Sequence, residues 1–338
     1  MRTSGVIAVD AMGGDHAPAE IVAGACRAYA EGIPVVLVGR EAELHPLLPR
    51  RNAPPVQHAP DVVGMGDAAV SSVRRSESSS LRVAMRMVAD HRADAVVSCG
   101  NTGAVLVAAV FDLGVIEGVE RPAIGTVLPR ADGGRLFLLD AGANVDCRPE
   151  QLVTFGVLGS AWAEANGVRS PRVGLLANGE EDGKGNTQVR ATLPLLRESG
   201  LVVVGNVEPS AAMEGACDVL VTDGFVGNVL LKAAEGAVTT VVQLLKQEIR
   251  RYPTGILGAW LLRGAFRRFR ERVAWDAHGG AVLLGTRGLV VVGHGRANAN
   301  AVHQAVRLAH RTLSADLVHG LVRRFEGDAR DDAPADAG

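Results

Sequence analysis

Short apolar runs that lead directly into small, polar turns and then into helices are the pattern that most constrains this fold. The clearest example is segment 95–113: residues 95–97 are apolar, residues 98–103 read Ser-Cys-Gly-Asn-Thr-Gly, and residues 104–113 follow with a helical pattern. An apolar run without alternation is typical of a strand buried on both faces, as in parallel sheets flanked by helices. The segment therefore predicts an α/β unit with a glycine-rich corner between strand and helix.

The same pattern occurs at five strand ends in the chain. Carboxylate or amide side chains follow the apolar runs, and the glycines allow the backbone to approach closely. In a parallel sheet the carboxyl ends of the strands share one edge, so we expect the five turns to meet in one cleft there. The turns lie at 10–18, 98–103, 140–146, 178–187 and 223–228.

Turns that open helices favour anions, because free N–H groups and the positive end of the helix point the same way. The competing interpretation is that the amides and hydroxyl in these turns act only as helix caps. Lys184 lies between two glycines and suits a phosphate or a carbonyl oxygen. Asp10, Asp140 and Asp223 repel phosphate, so we expect them to orient a lysine or to cap a turn.

Composition excludes several classes of function. The 338 residues are 47% hydrophobic and 21% charged with a net charge of −2, which argues against a nucleic-acid partner. Four scattered cysteines without a CxxC pair indicate reduced thiols and no metal site. No apolar run reaches about 18 residues and no signal peptide is evident, which predicts a cytoplasmic protein.

Known cofactor and nucleophile motifs are also missing from the sequence. Segment 64–69 fits G-x-G-x-x-A, but we expect no helix after it, and 73–80 is expected to be a polar loop. Segment 178–187 fails the P-loop spacing, and no Gly-x-Ser-x-Gly elbow occurs. We therefore expect no cofactor.

The chain has only three lysines, Lys184, Lys232 and Lys246.

Five sequence blocks closely resemble the bacterial phosphate acyltransferases of phospholipid synthesis, the PlsX family. The resemblance extends in order over residues 6–313, and the blocks lie at 8–18, 100–103, 139–147, 183–186 and 223–232. It implies a three-layer α/β/α fold with a mostly parallel, Rossmann-like sheet and a small antiparallel part, related to phosphotransacetylases and isopropylmalate-type dehydrogenases. We expect one domain over 1–325, in one body or in two lobes around a cleft, and a disordered acidic tail over 326–338.

The resemblance further implies an activity and its partners. The family converts acyl-[acyl-carrier-protein] and inorganic phosphate to acyl phosphate and free carrier protein, as a homodimer loosely associated with the inner face of the cell membrane. A membrane glycerol-phosphate acyltransferase is the expected downstream partner. Where the family tends to have an Ala-His-Gly-Ser run, this chain has Gly-His-Gly-Arg at 293–296, so His294 receives no role.

Candidate site residues follow from the turns and the matching blocks. A thiolate leaves readily from a thioester, so bound phosphate attacks directly, and the site needs donors for the oxyanion rather than a side-chain nucleophile. The catalytic candidates are Lys184, Asn186, Asn101, Thr102 and Asn228. The substrate- or phosphate-binding candidates are Asp10, Gly13, Gly14, Asp15, His16, Gly100, Gly103, Asn144, Asp223 and Gly224.

Segment 256–273 is a basic amphipathic stretch in an almost neutral chain. Leu262, Phe266, Phe269 and Val273 recur at helical spacing, and arginines occupy the opposite side. This pattern predicts binding to an anionic membrane surface or to the acidic carrier protein, and the alternative is a dimer or core helix with a solvated basic face. The docking candidates are Leu257, Trp260, Leu261, Leu262, Arg263, Arg267 and Arg268.

Two other functions are compatible with the same fold class. A nucleotide-dependent dehydrogenase is disfavoured, because the dinucleotide-binding fingerprint is missing. A non-catalytic scaffold for lipid synthesis is the second alternative. Formation of acyl phosphate by the pure protein distinguishes the three.

Overall fold

The computed structural model describes residues 5–273 and 279–327, and its strands form a single eleven-stranded sheet. The strands are β1 (Ile7–Asp10), β2 (Val35–Gly39), β3 (Val56–His58), β4 (Ala95–Ser98), β5 (Ala123–Pro129), β6 (Arg135–Leu139), β7 (Arg172–Leu176), β8 (Val202–Val207), β9 (Val219–Val221), β10 (Ala281–Leu284) and β11 (Leu289–Val292). Their order across the sheet is β3-β2-β1-β4-β11-β10-β5-β6-β9-β7-β8.

Helices cover both faces of this sheet. They are α1 (Ala19–Ala30), α2 (Glu41–Leu44), α3 (Ala69–Arg75), α4 (Ser80–Ala89), α5 (Thr102–Asp112), α6 (Pro149–Ala165), α7 (Thr187–Glu198), α8 (Pro209–Glu214), α9 (Gly224–Arg251), α10 (Pro253–Leu261), α11 (Arg263–Val273), α12 (Ala299–Ser314) and α13 (Leu317–Glu326).

The strand residues pack on helices at both faces of the sheet, which gives the three layers. Val9 and its neighbours on one face pack against α1, α6 and α12, whereas Ala8 and Val96 on the other face pack against α4 and α5. Strands β1, β2 and β4 are buried at every residue, as their continuous apolar runs predict. The α/β class and the small antiparallel part are confirmed.

The sheet reverses direction near its centre. β11 is parallel to β4, β10 is antiparallel to both β11 and β5, and β5 is antiparallel to β6. β6, β9 and β7 are then parallel to one another. Strands β1 and β4 therefore run opposite to β6, β7 and β9, and the prediction that all five turns lie at one edge is wrong.

The Asp-Gly-Gly turn at 132–134 connects an antiparallel pair, β5 and β6. The local structure of two other segments differs from the predictions. Segment 69–75 is helix α3, so the expectations of no helix after 64–69 and of a loop from 73 are wrong. Segment 256–273 is two helices, because α10 ends at Leu261 and α11 begins at Arg263.

The tail expected over 326–338 lies, from residue 328 onward, outside the described residues. Within the described residues, α9 is the one helix long and apolar enough to span a membrane by length and composition alone. The expectation that no segment of this kind exists is therefore incorrect. Such a helix is weak support for a membrane span.

Candidate active site

A cavity of about 1160 Å³ lies where α9 passes over β5. Its polar lining comes from the first turn of α5, from α9 and from the loop after β11, which contribute Thr102, Asn228, Lys232 and His294. Residues that follow strands of opposite direction therefore meet in one space. They do so because the ends of β4 and β6 lie at the same level of the sheet. Ser98 pairs with Val292, and Val292 pairs with Ala281. The next residue, Val282, pairs with Gly125, and Thr126 pairs with Leu138 near the end of β6.

The beginning of α9 packs on the turn after β6 without room for a side chain. The Asp223 carboxylate accepts the N–H of Val226 at 2.8 Å and caps the helix. A Cβ on Gly224 would lie 2.7 Å from the Asp140 carboxylate, and one on Gly227 would collide with the Asp140 carbonyl oxygen. Both glycines are needed to bring α9, and with it Asn228, against this turn.

Asp140 organises the turn that α9 contacts. Its Oδ1 accepts the N–H groups of Ile124, Gly142 and Ala143, each at 3.0 Å. Its Oδ2 accepts the N–H of Asn144 at 2.7 Å and the side-chain amide of Asn144 at 2.9 Å. Burial raises the pKa of the carboxyl, and these five donors oppose that shift by stabilising the ionised form. Asp140 therefore caps a turn, one of its two expected roles.

Asn144 is committed to the same turn. Its side-chain amide also donates to the Pro122 carbonyl at 2.8 Å, and the residue is buried. Its carbonyl accepts the N–H of Gly224 at 2.7 Å. In this structure Asn144 thus joins the turn to β5 and α9 and does not line the cavity.

Asp10 fills the corner in which the sequence predicts an anion. Ser98 donates its hydroxyl to Asp10 Oδ2 at 2.7 Å, and the N–H of Met12 donates to Oδ1 at 3.3 Å. A Cβ on Gly13 would lie 2.5 Å from the same Oδ2 and 2.9 Å from the N of Gly100, so the two glycine turns touch. The protein's own carboxylate, whose pKa is raised by burial, occupies this corner.

Two candidate amides cap helices. Asn101 Oδ1 accepts the N–H of Ala104 at 3.1 Å, while its Nδ2 donates to the carbonyl of Met65 at 2.9 Å. Asn186 Oδ1 accepts the N–H of Val189 at 2.9 Å. The capping interpretation holds for both residues, and neither lines the cavity.

Lys184 lies in the turn before α7, outside the cavity lining. Its Nζ is 3.9 Å from Glu181 Oε2, and its side chain is half exposed. At the start of α7, Gln188 donates to the Cys147 carbonyl at 2.6 Å, which ties this region to the turn after β6. The structure therefore does not bring Lys184 together with Thr102 and Asn228.

Lys232 and His294 are the cavity residues that sequence reasoning left out of the site. The scarcity of lysine in the sequence could have pointed to Lys232. Of the three lysines, Lys232 and Lys246 line the cavity and Lys184 does not. Lys232 Nζ is 3.9 Å from Oε2 of Glu235, which lies one turn further along α9 and also lines the cavity. A carboxylate at that distance leaves the ammonium available to a second anion.

His294 enters the cavity as a neutral imidazole. The N–H of Arg296 donates to its Nδ1 at 3.0 Å, so the neutral ring carries its proton on Nε2. Burial, and then the positive charge of Lys232, lower the pKa of His294. At neutral pH the ring is thus a hydrogen-bond donor beside a lysine.

The turn at 13–15 packs against the loop that carries His294. The N–H of Asp15 donates to the Gly295 carbonyl at 2.7 Å, and the Gly14 φ is +117°. Asp15 and His16 are exposed, as is Gly103 at the start of α5. These candidates border the site without lining the cavity.

Cys99 follows β4 but is not poised for chemistry. The thiol is buried, and burial together with the Asp10 charge raises its pKa to about 12. All four cysteines are free thiols. Among residues 5–273 and 279–327, no group of His, Cys, Asp and Glu has the arrangement of a metal site.

The docking candidates cluster at the junction of α10 and α11. Trp260, Leu261 and Leu262 are exposed there, and the Arg263 guanidinium lies 4.9 Å from the centre of the Trp260 ring. Arg267 is exposed one turn further along α11. The side chains of two further candidates, Leu257 and Arg268, fall outside the part of the chain that the structure describes.

Sequence comparison identifies the relatives of this chain. The family described as "Fatty acid synthesis protein" matches residues 6–319. A protein named phosphate acyltransferase from Desulforudis audaxviator is 46% identical over 327 residues, covering 96% of this chain and 97% of that protein. One of the same name from Thermus thermophilus is 48% identical over 321 residues, covering 94% and 98%.

Solved structures share the fold at low sequence identity. A phosphotransacetylase from Streptococcus pyogenes superposes with a TM-score of 0.63 at 15% identity, over 91% of this chain and 94% of that one. A branched-chain phosphotransacylase from Enterococcus faecalis gives 0.57 at 15% identity, over 91% and 98%. With this fold and with relatives at 46% and 48% identity over nearly their whole length, the chain belongs to the phosphate acyltransferase (PlsX) family and is an enzyme of the acyltransferase type.

Proposed function

We propose that the protein transfers a fatty acyl group from acyl-[acyl-carrier-protein] to inorganic phosphate, giving acyl phosphate and free carrier protein. The observation that carries the proposal is the cavity, in which a lysine, a neutral histidine and an amide adjoin a long apolar wall. The lysine, histidine and amide suit a thioester carbonyl and an anion, and the apolar wall suits an acyl chain. No cofactor enters the reaction.

The reaction proceeds by direct attack. A phosphate oxygen adds to the thioester carbonyl carbon, and the tetrahedral intermediate collapses as the carbon–sulfur bond breaks. Hydrogen phosphate supplies the proton that the departing thiolate takes up, so atoms and charge balance. The enzyme needs to hold the phosphate against the carbonyl and to stabilise the oxyanion.

Cavity residues divide between these two tasks. The Lys232 ammonium, whose side chain is half exposed, attracts phosphate to the cavity by its charge. Nε2–H of His294, the Asn228 amide and the Thr102 hydroxyl are donors for the carbonyl oxygen as it gains negative charge. Lys184 and Asn186 remain candidates for phosphate delivery from the turn before α7.

A trapping assay tests the proposed reaction. The pure protein is incubated with acyl-carrier-protein thioester and phosphate, and acyl phosphate is captured as a hydroxamate with hydroxylamine. We expect hydroxamate that depends on both substrates and release of the carrier thiol in equal amount. Thiol release without phosphate dependence would contradict the proposal, and no release at all would favour a scaffold.

We also propose that two copies associate through α9. Only Gly224 and Gly227 of this helix are buried, and apolar residues of α9 that do not line the cavity form a stripe. The stripe comprises Val226, Ala233, Ala237, Val241 and Leu244, which recur at spacings of seven, four, four and three. A second α9 packed along it buries the same residues on both copies, as a twofold dimer requires.

The junction of α10 and α11 is our proposed membrane contact. Three successive apolar side chains, at 260–262, are exposed beside Arg263 and Arg267. Apolar residues that enter the lipid interface and arginines that meet anionic headgroups give reversible binding. The protein is then cytoplasmic and releases acyl phosphate at the membrane, where a glycerol-phosphate acyltransferase consumes it.

A further inference from the structure

The cavity has an apolar wall along most of its length. Thr102, Asn228 and Lys232 line it at the first turns of α9. Val242, Leu245 and Ile249 form the apolar part of its lining along the last turns, beside the polar residues Gln243, Lys246 and Arg250. The stretch of α9 from Asn228 to Ile249 spans about 30 Å at 1.5 Å per residue, so the space is elongated.

Two phenyl rings of α11 line the cavity together with the end of α9. α10 follows α9 after one residue, and a Cβ on Gly255 would lie 2.5 Å from the Ile249 carbonyl oxygen. The chain then turns into α11, from which Phe266 and Phe269 face the cavity. The Phe266 ring is partly buried and the Phe269 ring is exposed, and both border the apolar part of the lining.

We propose that the acyl chain of the donor lies along α9 in this cavity and that Phe266 and Phe269 set the longest chain that the enzyme accepts. This inference rests on the proposed acyl transfer. An apolar wall that extends along α9 from Asn228 and Lys232 suits a molecule with a reactive head and a long apolar tail, whereas an acetyl group needs only the region around these two residues. The space also exceeds what a small acyl group fills.

The proposal predicts opposite shifts from enlarging and from filling the apolar part. Phe266→Ala and Phe269→Ala should raise kcat/KM for chains longer than the wild-type optimum relative to shorter ones. Val242→Phe should lower kcat/KM for long chains by roughly fourfold per excluded methylene, equivalent to ~0.8 kcal/mol, and spare short chains. Phe111→Ala is the matched control, because this exposed phenyl ring lies outside the cavity.

The experiment measures phosphate-dependent acyl phosphate formation over a series of saturated acyl-carrier-protein thioesters. Retained activity with the shortest chain shows that each variant folds. An unchanged chain-length profile in all three cavity variants, or equal losses at every length, would overturn the inference while leaving acyl transfer intact. Absence of trapped product from the wild type at every length would instead overturn the proposed function itself.

Discussion

At the scale of single residues, Asp140 is the side chain on which most of the site geometry depends. Both of its oxygens accept N–H groups, which joins the turn after β6 to the first residues of β5, and the start of α9 packs against the same carboxylate. A buried acceptor of this kind is expensive to replace, because its donors would be left unpaired. Its role is positional, since it does not line the cavity.

Asp140→Asn should lower the free energy of unfolding by about 1–3 kcal/mol, because the new amide group faces N–H donors at either oxygen position. Denaturant titration measures the change. Asp146→Asn is the matched control, since Asp146 is exposed at the end of the same turn. Equal stability of the two variants would show that Asp140 does not organise the turn.

We expect different losses of turnover from substitution of the two candidate lysines. Lys232→Ala should reduce turnover by about two orders of magnitude, as expected for removal of one preorganised charge or donor. Lys232→Arg should recover part of that loss and Lys184→Ala should cost less, because Lys184 lies outside the cavity lining. Steady-state kinetics at varied phosphate distinguishes them. A greater loss from Lys184→Ala would assign phosphate to the turn before α7.

Cys99 tests direct transfer against an acyl-cysteine intermediate. A buried thiol whose pKa is raised to about 12 is a poor nucleophile at neutral pH, so Cys99→Ala should retain most activity. Turnover of the purified variant is the measurement, with its thermal unfolding as the check on folding. Loss of turnover in a normally folded variant would refute direct transfer.

At the scale of elements, two sides of α9 have separate proposed roles. One lines the cavity from Asn228 to Ile249, and the other carries the apolar stripe assigned to the dimer. The two proposed roles would account for the length and apolar composition that make α9 resemble a membrane span. The proposed dimer and the proposed substrate site depend on the same helix.

Val241→Glu should convert the dimer to a monomer, because a carboxylate would be buried at the centre of the stripe. Light scattering during size-exclusion chromatography measures the mass. Gln243→Glu introduces the same charge on the side of α9 that lines the cavity and should leave the mass unchanged. A dimeric Val241→Glu protein would place the interface elsewhere.

Leu261→Glu combined with Leu262→Glu should abolish co-flotation with anionic vesicles, since both side chains are exposed at the junction of α10 and α11. Activity on soluble substrate should persist. Leu47→Glu with Val70→Glu adds equal charge at exposed apolar positions elsewhere and should float normally. Undiminished flotation of the first pair would remove this junction from the membrane contact.

At the scale of the whole molecule, sequence reasoning predicted the elements better than their directions. Continuous apolar runs identify strands such as β1 and β4 because both faces are buried. No local pattern in the sequence reveals that β10 is inserted antiparallel between β11 and β5, since that depends on pairing between distant segments. The expectation of one shared edge failed for this reason.

Prediction of the site residues is limited in the same way, because it also depends on which distant segments come together. Turn composition identified Thr102 and Asn228, which do line the cavity, but it also selected Asn101, whose amide is used locally as a cap. Lys232 and His294 lie in a helix interior and in a loop, without a turn motif to mark them. They become site residues only when α9 is placed over β5.

The central position of β10 and β11 also affects how the protein is made. Leu289 pairs with Ala95 and Leu284 with Ala123, so the last two strands of the chain join the half that ends at β4 to the half that begins at β5. During synthesis, both halves therefore emerge from the ribosome before the strands that join them. Until then, each half has an open strand edge. Open edges are templates for pairing with other chains, and pairings between distant segments form slowly. With this strand order, the nascent chain needs protection from incorrect pairing until β10 and β11 have emerged.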